Sequence, residues 1–218
     1  MPLAYKSLSQ PVAEPVTLQQ AKDQCKVDYP DDDALIQGYI IAARQLVENM
    51  TGRSIFNRKM KMTLDYFPYP GCEAVTGSGH EAYLRWYFRG QSIRLPKPAT
   101  ASVDKISYID GAGQTVIIDS SKYVVDLISE PARISPAPGY SWPYLNNYVP
   151  GQVTVEFTSG TYGDGKLIND CPMTVVLAIL LLVSHFYNNR DASSEAVLNT
   201  IPLGVAELIA GEVFETVN

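Results

Sequence analysis

The chain has 218 residues, 46% hydrophobic and 18% charged, enough for one large or two small packed cores and too apolar for an intrinsically disordered chain. Its net charge of −6 argues against a basic groove that grips DNA. An acidic surface fits protein partners, or a channel wall past which DNA slides without sticking.

Residues 1–16 hold three prolines and read as an extended arm. Thr17 and Gln20 form a capping-box pair that opens a short helix carrying Leu18, Ala21 and Cys25 at helical spacing. Pro30 punctuates. A longer helix begins at Asp31 or Asp32, where the triplet Asp31-Asp32-Asp33 meets the positive end of the helix dipole. Leu35, Ile36, Tyr39, Ile40, Ala43, Leu46, Val47 and Met50 keep its apolar face, Gln37, Arg44, Gln45 and Glu48 take the opposite side, and Gly52 stops it.

The period then changes to two. Residues 59–66 alternate polar positions with Met60, Met62, Leu64 and Tyr66, the pattern of a strand with one buried face. A Pro/Gly-rich loop over 68–80 precedes short strands at 82–88, 92–95, 103–109, 115–118, 123–127 and 153–157. Asp110-Gly111-Ala112-Gly113 marks a hairpin. A Pro/Tyr/Trp loop covers 136–150. Helical spacing returns with Asp170 as cap and Pro172 in the first turn, running from 173 to about 190. A last helix starts near Pro202. The expected class is α+β, with N- and C-terminal helices packed as a small helical bundle and a β-rich insertion between them. The expected division is an arm at 1–16, a helical core at 17–54 and 160–218, and the insertion at 55–159.

No set of residues assembles a reaction. The histidines are His80, in a glycine-rich loop, and His185, whose neighbour Ser184 points away from it on a helix. The acidic triplet has no further ligands at calcium-loop spacing, and residues 160–165 lack the Lys-Ser/Thr of a phosphate loop. Cys25, Cys72 and Cys171 are too scattered for a zinc site or a disulfide framework and fit a reducing cytoplasm. The expectation is therefore no catalytic residue, no metal and no cofactor. The most apolar run, 173–183, is too short to cross a bilayer, which takes about 20 residues.

Three stretches are candidates for contact with other molecules. The helix at 173–187 is apolar in nearly every direction, so it must be buried all round, and part of the cover is expected from a neighbouring subunit at Val176, Leu180, Val183 and Tyr187. Tyr140, Trp142, Tyr144 and Tyr148, with Asn146 and Asn147, could meet a sugar, form a protein interface, or cover one end of the β-rich part. Val213, Phe214 and Val217 alternate with polar residues and suit a tail that adds a strand to a neighbour's sheet.

The order and spacing of several short segments resemble one family. Glu14-Pro15-Val16-Thr17-Leu18-Gln19-Gln20-Ala21-Lys22, Asp31 to Ile36, Ala42-Ala43-Arg44 and Thr51-Gly52-Arg53 resemble the opening of head–tail connector proteins of long-tailed phages. Ile93-Arg94-Leu95-Pro96, Ser141-Trp142-Pro143, Val153 to Phe157, Phe186 to Arg190 and Ile201-Pro202-Leu203-Gly204-Val205 continue the likeness. The resemblance implies a structural adaptor in the virion, assembled in the host cytoplasm, forming a ring of about twelve copies. Its implied partners are the portal protein and tail or head-completion proteins, with genome DNA passing through without tight binding and no membrane involved. The alternative is a tail or baseplate module whose aromatic loop binds a glycan.

Overall fold

The computed structural model describes residues 4–68, 88–89, 91–145, 149–166, 171–190 and 203–214. These fall into two compact units: a β unit with residues 4–10 and 57–161, and a helical unit with residues 11–56 and 162–214.

The helical unit holds α1 (Leu18–Cys25), α2 (Asp33–Thr51), α3 (Met173–Asn188) and α4 (Leu203–Ile209). Thr17 starts α1 as its sequence predicts: its hydroxyl accepts from the Gln20 amide at 3.2 Å, and the Gln20 side chain accepts from the Thr17 amide at 2.9 Å. These bonds satisfy donors that a helix start leaves without intrahelical partners. Gly52 ends α2 in the left-handed conformation, φ 71°, which a side chain would strain. α3 packs against α1, α2 and α4. Ile36, Ile40, Ala43 and Val47 of α2 meet Val175, Ile179, Leu182 and Val183 of α3 in one core, which Ala21 and Val205 extend.

Arg44 sits on the α2 side that the sequence assigns to solvent, yet it is wholly buried. Its Nε donates to Glu14 at 2.7 Å and its Nη1 to Glu48 at 2.9 Å, while Glu48 also accepts from the Ile55 amide at 3.0 Å. One buried guanidinium thus ties the segment before α1 and the segment after α2 to the middle of α2.

The β unit has two antiparallel sheets. The larger has the order β1-β2-β9-β5-β6, with β1 (Ala4–Ser7), β2 (Arg58–Leu64), β5 (Thr100–Ile109), β6 (Thr115–Ile117) and β9 (Val153–Ser159). The smaller has the order β3-β4-β8-β7, with β3 (Phe88–Arg89), β4 (Ser92–Arg94), β7 (Tyr123–Asp126) and β8 (Arg133–Pro136). The period of two in the sequence becomes direct cross-strand pairing of buried residues, Met60 with Phe157, Met62 with Val155 and Leu64 with Val153. Ile93 and Ile134, paired in the smaller sheet, join the same core. In the β5–β6 hairpin the Asp110 carboxylate accepts from the amides of Ala112 and Gln114, both at 2.9 Å, so the turn is closed by its own side chain.

The expected architecture of terminal helices bundled around a β-rich insertion is corrected here. A strand, β1, precedes every helix and forms an edge of the larger sheet, and the middle of the chain makes two antiparallel sheets instead of a single insertion. The sequence hides β1 for a physical reason. All four of its residues are exposed, so it is held by main-chain pairing to β2 and shows no apolar alternation.

Candidate interaction surfaces

α3 has two faces of different kinds. Val175, Val176, Ala178, Ile179, Leu182 and Val183 are buried against the chain's own helices. Met173, Leu177 and Leu181, spaced four residues apart, stay exposed at 67%, 43% and 37%. Thr174 and Asn188 are exposed on the same side, and Leu180 and Ser184 are half-buried at its border.

Two of the four residues expected at a subunit interface, Val176 and Val183, are buried in this chain's own core. Leu180 lies at the edge of the open face. Tyr187 is engaged elsewhere: its hydroxyl donates to Asp32 at 2.6 Å and stands 3.1 Å from the Tyr29 hydroxyl. Arg190 joins the cluster, pairing with Asp32 at 2.8 Å and lying 4.2 Å over the Tyr187 ring. Hydrogen bonds from Tyr187 and then Arg190 hold the Asp32 carboxyl below the ordinary carboxylate range, and the same bond raises the Tyr187 hydroxyl. Asp32 precedes α2 without capping it through its side chain; it clasps the end of α3 to the start of α2.

The open residues of α3 are ones that sequence reasoning missed. In a helix apolar on all sides, periodicity cannot say which side the other helices take. α2 also has an outer face, of which the sequence pattern assigns only Gln37 and Gln45. Ala34, Leu35, Gln37, Gly38, Ile41, Ala42, Gln45 and Asn49 are all exposed, and none is charged.

In the β unit, the aromatic loop divides. Trp142 is buried, stacked on Phe67 with ring centroids 5.1 Å apart, and its Nε1 donates to the Gln91 carbonyl at 2.7 Å. Tyr140 meets Trp142 edge-on and lies beneath the Lys122 ammonium. Tyr144 is 82% exposed. Tyr148, Asn146 and Asn147 lie outside the described residues. The structure thus spends two of these aromatics on covering a core.

The chain after α4 is partly fastened down. The Phe214 amide donates to the Thr51 carbonyl at 2.8 Å, Arg53 donates to the Glu212 carbonyl at 2.9 Å and lies over the Phe214 ring, and the Tyr162 hydroxyl donates to the Glu212 carboxylate. Val213 points out, half open, and Val217 lies outside the described residues.

His185 sits near the end of α3 beside Asn189, and His80 lies outside the described residues. Burial pushes the Cys171 thiol up to about 12, which keeps it a protonated, unreactive group at neutral pH. Among the described residues, no cluster of three or more His, Cys, Asp or Glu could hold a metal ion, and no helix is long and apolar enough to cross a membrane.

These surfaces are exposed faces on two folded units. The model of the family "Phage gp6-like head-tail connector protein" matches residues 15–76, which bears out the resemblance read from the sequence. Solved structures resemble the whole chain. One is a chain in the neck of an empty GTA particle computed with C6 symmetry, with a TM-score of 0.72, 18% identity and coverage of 99% of this chain and 97% of that one. Another is in the neck of a native GTA particle computed with C12 symmetry, with a TM-score of 0.69, 19% identity and coverage of 99% and 97%. A third, in the virion of a native gene transfer agent particle, has a TM-score of 0.68 at 18% identity, with 98% and 97% covered. No curated protein matches the sequence.

Proposed function

We propose that this chain is a structural virion protein, a head–tail connector subunit that forms a ring beneath the portal and joins the DNA-filled head to the tail. The observation that carries the reading is the coincidence of two independent likenesses. A connector family matches residues 15–76, and a neck component shares the fold along 99% of the chain. Necks computed with C6 and C12 symmetry hold repeated copies about an axis, which supports a ring of about twelve here.

The role is structural and not catalytic. What supports this is how the polar groups are used: Asp32 clasps Tyr187, Glu48 pairs with Arg44, and Asp126 closes its own turn. The partners are other copies of the chain, the portal on one side, and tail or head-completion proteins on the other. Tyr144 and Val213, both exposed, are the groups offered for those outer contacts, with Phe214 and Val217 completing the expected docking tail. The test is a particle lacking this chain. Filled heads and separate tails that fail to join are expected, and rescue is expected on adding the purified protein. Joined, infectious particles made without it would refute the reading.

A further inference from the structure

Two open helix faces in the helical unit differ in shape and share one property. On α3, Met173, Leu177 and Leu181 form a ridge of large apolar side chains. On α2, Ala34, Gly38 and Ala42, four residues apart, form a shallow strip, with Leu35 and Ile41 exposed beside it at 38% and 41%. Neither face carries a charged residue, although the chain has 17 basic and 23 acidic side chains. Copies of a chain with net charge −6 repel one another, so uncharged faces are where they can approach most closely.

Gly38 adds a second, separate observation. A glycine inside a helix is less favourable than alanine. Here a side chain would cost nothing sterically within the chain, because a Cβ built at Gly38 meets no atom within 4 Å. Its φ is not positive, so no turn requires it either. The chain's own packing gives no reason for glycine there, whereas close approach of another helix does.

The positions of the two faces decide the mode of contact. α2 and α3 pack on each other through one core, and each open face is the side turned away from that core. Two unlike faces pointing apart cannot both be satisfied by a two-fold pair. They are satisfied when the ridge of one copy meets the strip of the next, the head-to-tail arrangement that closes into rings. We infer that copies of this chain pack head to tail, with the Met173–Leu177–Leu181 face of α3 on one copy seated on the Ala34–Gly38–Ala42 face of α2 on the next. This rests on the ring reading above and names the surfaces that build the ring.

Disulfide trapping tests it. Gly38→Cys and Leu177→Cys are made as separate variants of the full chain, since both positions are exposed. Each is oxidised alone, then the two are mixed and oxidised. The parent chain is oxidised in parallel to measure the background from Cys25, Cys72 and Cys171. Trapping captures weak association as well as stable rings. The mixed pair should give a covalent dimer in several-fold excess over either variant alone. Dimers that form best within one variant would mean like faces meet, which overturns the inference. Rings in particle images with no mixed dimer would overturn it as well and leave the ring reading standing. Neither rings nor trapped dimers under any condition would remove both.

Discussion

At the scale of single residues, the costly items are buried charges and carboxylates that organise a turn. Arg44 is fully buried and Glu48 nearly so, and removing one partner of a buried pair leaves a charge without its counter-ion. Arg44→Leu should therefore destabilise the helical unit by about 3 kcal/mol, read from chemical denaturation followed by helix content. An Arg44→Leu protein as stable as the parent would mean that the pair contributes nothing. Asp126 acts in a different setting. Its carboxylate accepts from the Ile128 and Ser129 amides, the Ser129 hydroxyl and Arg133, and these bonds, the Ser129 hydroxyl first, hold its pKa well below the ordinary carboxylate range. Asp32 is lowered as well, first by Tyr187. A carboxyl whose pKa is depressed on folding stabilises fully above its unfolded value, near 4, and loses that contribution as pH falls through the folded value. Thermal stability should thus hold steady from neutrality to about pH 5 and fall below about pH 4. Asp126→Asn should flatten part of that acid limb while lowering stability at neutral pH. An unchanged acid limb would exclude Asp126 as a contributor.

At the scale of elements, α3 shows what a sequence can and cannot reveal. Its existence, start and length were legible from Pro172 and the apolar run. Its orientation was not, because burial on one side depends on packing against α4 and against α1 and α2, which are distant in sequence. The same limit explains why Arg44 reads as a residue of the polar side and why Ala34, Gly38, Ile41 and Ala42 are not assigned to the outer face of α2. In the β unit, β2 and β9 were legible because one face of each is buried and the period is two. β1 was not, since all four of its residues are exposed. α3 also supports a paired prediction. Leu182 is fully buried and Leu181 is not, although they are neighbours. Leu182→Asp should prevent folding, because an unpaired buried charge is among the most damaging changes. Leu181→Asp should leave circular dichroism and melting close to the parent's and abolish assembly. If Leu181→Asp also unfolds the chain, the open face is part of the fold and cannot be an interface.

At the scale of the whole molecule, charge bears on the proposal that DNA passes the ring without tight binding. A protein that neutralises many phosphates gains affinity by releasing counterions, and that gain needs clustered Lys and Arg. This chain has 17 basic against 23 acidic side chains. Several of the basic groups are already committed: Arg44 to Glu14 and Glu48, Lys22 to Asp33, Arg133 to Asp126 and Arg190 to Asp32. Such pairing reduces the positive charge available to hold a duplex, which fits the proposed passage of DNA through a ring without tight binding. Purified protein should give no electrophoretic shift of duplex DNA at submicromolar concentration in about 0.15 M salt. Lowering the salt should change little, since few counterions are displaced. A shift under those conditions with a steep salt dependence would mean that basic groups converge on the DNA, and would overturn the expectation of passage without tight binding.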